Sequence, residues 1–503
     1  MSRASNAAAR LRGSALGITA GLISWLILVE ITSGILQGYY VPLFSDIVIH
    51  LGIRDGDVNW FEAAQLLLSS IVVPIMAKLG DMYGHKKVLL FATIVTAGAT
   101  WWLAFTGTFW TFLLAWALQG FYVVWLPLEI ALIFERGRRG EHGVSLTRRA
   151  AGLLVVGLEA GAIIGALAAG RVFAASGGDL TFTLMMPAIA VTLIAFVIWL
   201  GVPESEPLPG RRLDVAGFAI LTGGLLLVTG ALVYMRMIGL YALPAITWVW
   251  VAVLLLAGVG VFWWFVRFEL RHEDPAIDIR VLRRPEMWPV QATAFLIGIS
   301  LLGAQGPLST YAGTDSSLGY GLGLDATGRS NVIGIYLVSL IIGAILFAVT
   351  SRKASPRVIL IGAAALVGIG YLLFLPFHQE FWQVLMNLMI AGIGSGALVG
   401  AMPAAAAAAA PRGQTGIASA LTNTTKTIGG TFASAVFGVV LAAGVGAVAS
   451  ETAASLGGYM AVWAICSAGG FLAAALLFMV PKVAFADTIA EEADAVAGES
   501  QVM

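Results

Sequence analysis

Residues 58–106 read VNWFEAAQLLLSSIVVPIMAKLGDMYGHKKVLLFATIVTAGATWWLAFT. Two apolar runs flank a ten-residue charged turn at 78–87. At a 1.5 Å rise per residue, each run is long enough to cross roughly 30 Å of hydrocarbon as a helix. The turn carries Lys78, Asp81, His85, Lys86 and Lys87, so it stays in water while the runs stay in lipid. This is a helical hairpin through a membrane, and the rest of the chain repeats its pattern.

The 503 residues are 59% hydrophobic and 11% charged, with a net charge of zero. A soluble domain needs about a quarter of its residues charged, so most of this chain's surface must face lipid. Those proportions exclude a secreted or cytosolic enzyme and a nucleic-acid module. One cysteine, Cys466, rules out an internal disulfide or a cysteine-rich metal centre. The 15 tryptophans fit interfacial belts. No Gly-x4-Gly-Lys-Ser/Thr loop is present, so ATP is not the expected energy source. His50, His85, His142, His272 and His378 all fall in expected loops, so neither a metal nor any other cofactor is expected.

Outward from the hairpin, fourteen spans are expected: 17–43, 58–79, 88–106, 109–134, 151–174, 182–201, 215–235, 245–266, 287–312, 330–350, 358–376, 380–404, 417–446 and 458–481. The first is too long for a cleavable signal and carries Glu30. With the N-terminus inside, all but Arg54, Arg171, Arg236 and Arg329 of the 28 lysines and arginines fall on one side. Basic loops are retained in the cytoplasm, so both termini are expected there and an even number of spans is required. The loop 135–150 is then cytoplasmic. So is 267–286, which is apolar enough to lie on the membrane surface. The Gly/Ser-rich loop 313–329 is expected to be mobile, and the acidic tail 482–503 disordered.

The turn from Ala77 to Leu89 resembles the loop between the second and third helices of the major facilitator superfamily, G-x-L-a-D-r-x-G-r-k-x-x-l. Ala77 replaces the first glycine and His85 the usual arginine. Gly80 and Gly84 permit a tight turn, and Lys86 and its neighbours hold it at an anionic leaflet. Asp81 is left to meet helix N-terminal amides or a cation such as Arg136. The fifth span, with Gly152, Gly161, Gly165 and Gly170, resembles that superfamily's antiporter signature, with Ala166 at the proline position. Read on its own, the same spacing is ordinary close packing of helices. In the fourth span the R-x-x-Q-G pattern becomes Trp116-Ala-Leu-Gln119-Gly120, and its arginine, associated with proton coupling, is missing. The segment 413–430, with Asn423, Lys426, Gly429 and Gly430, is similar to the thirteenth span of the fourteen-helix drug:proton antiporters.

An all-helical polytopic fold of 6 + 2 + 6 spans follows from that resemblance. Residues 1–203 and 287–481 would be two six-helix bundles, and 204–286 an inserted helix pair with its linkers. The resemblance implies secondary transport by alternating access in a bacterial plasma membrane, with protons, a small molecule and the lipid bilayer as partners. A monomer is expected.

An acidic group inside the bilayer costs several kcal/mol unless it serves a purpose or finds a partner. Glu30, Ser33 and Gln37 share one face of the first span by their spacing. Glu129 lies in the fourth span and Glu159 in the fifth. In the family an acidic residue on the first span often carries the proton; its aligned position here is Ser33, and Glu30 lies one turn earlier. These three glutamates are the proton-coupling candidates, with packing inside the bundle as the alternative for each. Glu62 is read as either functional or merely interfacial. Ser33, Gln37, Tyr40, Trp116 and Gln119, with Gln291, Gln305 and Asn387 from the second half, are the substrate-cavity candidates. Proton-coupled export of a hydrophobic or cationic molecule fits these residues. Uptake, or translocation of a lipid or metabolite, fits the same fold, and a non-transporting receptor is a third reading.

Overall fold

The computed structural model describes residues 20–137, 143–205, 207, 213–238, 245–272, 275, 277, 279–351, 354–409, 415–443 and 452–480. The acidic tail, Arg211 and Arg212, and the centre of the loop 135–150 lie outside the described residues. Among the described residues, fourteen helices are long and apolar enough to cross a membrane. They are Gly21–Leu51, Asp55–Tyr83, His85–Ala104, Phe109–Arg136, Arg149–Ala175, Leu180–Gly201, Val215–Arg236, Ile246–Glu269, Trp288–Gly313, Ala326–Thr350, Pro356–Leu373, Phe381–Ala406, Leu421–Ala443 and Leu456–Met479. These are spans one to fourteen, and each overlaps its expected position.

Three spans are broken rather than continuous. Span one runs helically to Tyr39, tightens over Val41–Leu43 and resumes as Phe44–Leu51. Pro42 causes the break: it has no N–H for a continuing helix and suits the first turn of a new one. The expected end at residue 43 was therefore a joint, not a terminus. Span four tightens over Gly120–Val124 and resumes at Trp125. Pro127 then sits in the first turn, where no amide bond is lost. Span nine widens into a π-helical turn over Ile299–Gly303. Between spans eight and nine, Ile279–Leu282 is the only helical stretch among the described residues, with Ile279 and Val281 buried.

The chain forms two compact units. The first comprises 1–276, 303–338 and 431–462, and the second 277–302, 339–430 and 463–503. Within the first unit, the ends of the spans that carry few basic residues are tied together. Arg329, 4% exposed, bonds Asp46 and donates from Nε to the Pro42 carbonyl at 2.8 Å. Arg171 donates to Asn331 Oδ1 at 3.1 Å, and Arg236 lies 2.8 Å from Asp57 and 3.9 Å over the Phe109 ring. Three of the four cations on the sparse side, Arg171, Arg236 and Arg329, are thus structural fasteners. Asp55 completes the set, accepting from the Ala454 amide at 3.3 Å and the Tyr459 hydroxyl at 3.2 Å. Span seven packs here too: Ala231 and Met235 join Trp60, Ala63, Ala435 and Val439 in one apolar cluster.

The loop expected to be mobile is hydrogen-bonded in the structure. Gly323 N–H donates to Thr314 O and Leu324 N–H to Ala312 O, each at 2.9 Å. Tyr320 donates to the Ala454 carbonyl at 2.6 Å. The glycines that gave the loop its mobile look are its left-handed corners, with φ +84° at Gly319, +83° at Gly321 and +59° at Gly323. Asp315 caps its short turn: the Ser317 N–H bond at 2.9 Å holds this carboxyl below the ordinary carboxylate range.

In the second unit, Gly298 and Gly430 let span nine approach span thirteen, where Gly429 meets the Phe295 backbone. Gly343 and Gly396 do the same for spans ten and twelve. Tyr371 donates to the Ser300 carbonyl at 2.9 Å, and Phe374 stacks on Trp463 at 4.9 Å.

Candidate transport site

Glu30 and Glu129 come from different spans and meet. Both are fully buried and adjoin each other. Among the described residues, neither has a hydrogen-bond partner outside the pair. Glu30 is held by close packing of span one on span five, its Cβ lying against Gly157. Glu129 projects from the resumed part of span four, beyond the Gly120–Val124 break. Two carboxyl groups without a cation can share a proton, and they offer a counter-charge to any cation that reaches them. Ser33 is buried one turn on, whereas Gln37 is exposed, so the shared face runs from the interior to an accessible surface. Glu159 is half-buried on span five.

The polar residues of spans one to four form a network beside the pair's helices. Gln119, fully buried, donates to Tyr40 Oη at 2.8 Å and Thr100 Oγ1 at 3.1 Å. Gln65 donates to Gln119 Oε1 at 3.4 Å, and Ser69 to the Gly120 carbonyl at 3.0 Å. Trp116 packs among Tyr40, Phe44, Phe61 and Phe112, with ring centroids 4.9 to 6.0 Å apart. The position expected to hold an arginine is therefore an aromatic cluster. Tyr40, Trp116 and Gln119 are brought together as interior residues of the first unit. In the second half, Gln291 is buried and donates to Thr422 at 3.3 Å, and Asn387 is buried and donates to the Phe377 carbonyl at 2.7 Å. Gln305 is half-buried on span nine.

The turn between spans two and three is built as a clasp. Gly84, at φ +105°, reverses the chain between Tyr83 and His85. That φ strains any other residue, and a side chain there would also displace the Glu204 carboxylate. Its lack of a side chain also leaves the third helix without a local cap. Ser205 Oγ accepts the His85 N–H at 2.7 Å and Glu204 Oε1 the Lys86 N–H at 3.0 Å. His85 lies 3.4 Å from Asp81 and 3.8 Å from Glu135, and Arg136 donates to the Glu204 carbonyl at 3.1 Å. Gly80 brings Leu128 and His85 close.

Span five meets span one along glycine. A Cβ on Gly161 would strike the Ile31 backbone and one on Gly165 the Ile35 backbone, while Gly34 and Gly38 offer matching gaps to Leu158 and Ala162. Gly170 meets Ala326 in the same way. Gly152 faces open space. Three of the four signature glycines are contact points, and the fourth is not.

The family model of the Major Facilitator Superfamily matches residues 26–434. The chain belongs to the major facilitator superfamily. Among its superfamily relatives, the probable actinorhodin transporter of Streptomyces coelicolor is 25% identical over 398 residues, covering 76% of this chain and 65% of that protein. The quinolone resistance protein NorB of Staphylococcus aureus is 25% identical over 304 residues, covering 59% of this chain and 61% of that one. This chain thus spans less than two thirds of the length of the curated relatives it matches. Among solved structures, the peptide transporter PepTSo superposes with a TM-score of 0.63 at 12% identity, covering 91% of this chain and 97% of that one. The human organic anion transporter MFSD10 gives 0.58 at 14% identity, with 91% and 99% covered. At that identity these structures share the fold. The chain is a multi-pass membrane protein of this superfamily.

Sequence reasoning missed Glu204, Ser205 and Glu135 in this superfamily turn. Roughly 120 residues separate the cap from the helix it serves, and no periodicity reports such a contact. Removing an N-cap acceptor costs about 1 kcal/mol. Ser205→Ala and Glu204→Ala are each expected to lower the thermal midpoint of detergent-purified protein, and Ser205→Thr is expected to restore it. Unchanged midpoints in both alanine variants would show that the clasp adds no stability.

Proposed function

We propose that this transporter exports hydrophobic or cationic small molecules in exchange for protons, by alternating access. The observation that carries the reading is the buried Glu30–Glu129 pair, which joins two spans and, among the described residues, has no cation beside it. A proton and a cationic substrate competing for one pair of carboxyls is sufficient for exchange, because occupancy by one opposes occupancy by the other. The names of two relatives, a probable actinorhodin transporter and a quinolone resistance protein, support small-molecule export. The fastened basic-poor ends in the first unit support a closed gate there, with the basic-rich ends and both termini in the cytoplasm. Gln37 and Gln305, which retain exposure, are the polar residues through which a substrate would enter contact.

The seams support two repeated bundles, 1–203 and 287–481, with 204–286 inserted. Gly161 of span five meets Ile31 of span one, and Gly429 of span thirteen meets Phe295 of span nine. Spans nine and thirteen are the first and fifth of the second set of six, so the close contact recurs at the same place in each.

Cells lacking their own efflux systems and expressing this chain are expected to accumulate less of a fluorescent lipophilic cation, with the difference removed by a protonophore. Greater accumulation than in control cells would indicate uptake and overturn the direction proposed.

A further inference from the structure

Span eight is the most lipid-exposed of the fourteen, with 17% of its apolar window buried. At its basic-rich end, Trp263, Arg267 and Arg271 form one i,i+4 row, and Trp264, Phe268 and His272 form the next. These six residues line a single groove of about 450 Å³. The chain tightens as the helix ends: Arg271 N–H donates to Phe268 O at 3.0 Å and His272 N–H to Glu269 O at 3.2 Å. That turn folds 271 and 272 back beside the last helical turn. Trp263 and Trp264 are 60% and 55% exposed, so their rings meet the surroundings rather than the bundle. Indoles in such positions sit at headgroup depth.

The charges divide by face. Asp214 and Glu269 are buried towards span seven, where both crowd Gly217, and Asp214 lies 4.0 Å from His272 Nε2. Arg267 and Arg271 are on the exposed side. Arg267 stands 4.6 Å over the Trp263 ring, and among the described residues no salt bridge occupies either guanidinium. Glu273 and Asp274 lie outside the described residues. Two exposed guanidiniums with no salt bridge among the described residues, beside two indoles at the end of a lipid-facing helix, are chemistry for a ligand that is anionic at one end and apolar at the other.

We propose that this groove binds an anionic phospholipid, with Arg267 and Arg271 on its phosphodiester and Trp263 and Trp264 against its glycerol and upper acyl chains. Carbonyls at a helix C-terminus repel an anion. Binding therefore rests on the two arginines, and an arginine's planar fork suits a phosphate oxygen pair. The inserted helix pair thereby gains an anchor in one leaflet, independent of the direction of transport.

Native mass spectrometry of the full chain, titrated with phosphatidylglycerol or phosphatidylcholine, tests the assignment. Wild type is expected to retain phosphatidylglycerol over phosphatidylcholine. The Arg267→Gln/Arg271→Gln variant, checked for folding by gel filtration, is expected to bind the tightest phosphatidylglycerol about 30-fold more weakly, at roughly fivefold per charge. Equal retention of the two lipids by wild type overturns the proposal even if the variant misfolds. So does an undiminished affinity in a folded variant. Displacement of the lipid by millimolar inorganic phosphate would make the groove a site for free anions and also overturn it.

Discussion

Glu30→Gln and Glu129→Gln are each expected to remove proton-linked export while leaving a folded protein in the membrane. The two carboxyls adjoin inside the bundle with no cation beside them among the described residues, so they are stable together only when a proton or a positive ligand accompanies them. Glutamine keeps the shape and hydrogen-bonding capacity of a protonated glutamate but cannot release its proton. Coupling between two ligands at one site is worth about 1–3 kcal/mol, so the proton-dependent part of transport should fall roughly 5–150-fold. Thermal stability should not fall, because the glutamine amide can still donate to the partner carboxyl in place of the shared proton. The alternative, that Glu30 only specifies packing, gives the opposite pattern: lower stability with coupling intact. Midpoint and protonophore sensitivity measured on the same variants separate the two.

The second large effect is at the seam of spans one and five. Gly161→Leu is expected to abolish accumulation of folded protein, whereas Gly152→Leu is expected to be tolerated. A Cβ at 161 meets the Ile31 backbone, which cannot rotate aside as a side chain can, and the same atom at 152 meets nothing within 4 Å. Overpacking costs about 1–3 kcal/mol, occasionally more. Collision with backbone belongs at the upper end, and separating these two helices also removes the wall that holds Glu30. Alanine substitutions sharpen the contrast by sign. Gly152→Ala is expected to be neutral or stabilising by up to about 1 kcal/mol through helix propensity, and Gly161→Ala destabilising. Equal yields and midpoints for the 152 and 161 variants would contradict the packing described here.

These two sites also mark what the sequence makes legible. The fourteen spans are visible because lipid demands long apolar runs and their charges fall on one side. Gly161, Gly165 and Gly170 stand out by spacing, yet spacing alone gave Gly152 the same standing; only the partner helix separates them. Glu30 and Glu129 were each conspicuous as buried acids. Their meeting was not, since ninety-eight residues and a break in span four lie between them. Tyr40, Trp116 and Gln119 look like cavity residues because polar and aromatic groups are scarce in such spans, and the structure bonds and packs them to one another inside the first unit. The glycines of 313–329 carry the same ambiguity: a left-handed corner and a floppy loop share one composition.

Proton exchange through the glutamate pair is tested most directly by the chain reconstituted into liposomes with a lumenal pH dye and presented with a lipophilic cation. The account predicts that protons leave the lumen as the cation enters, and that Glu30→Gln and Glu129→Gln abolish this movement. Protons entering together with the cation, or counter-movement undiminished in the double variant, would contradict it.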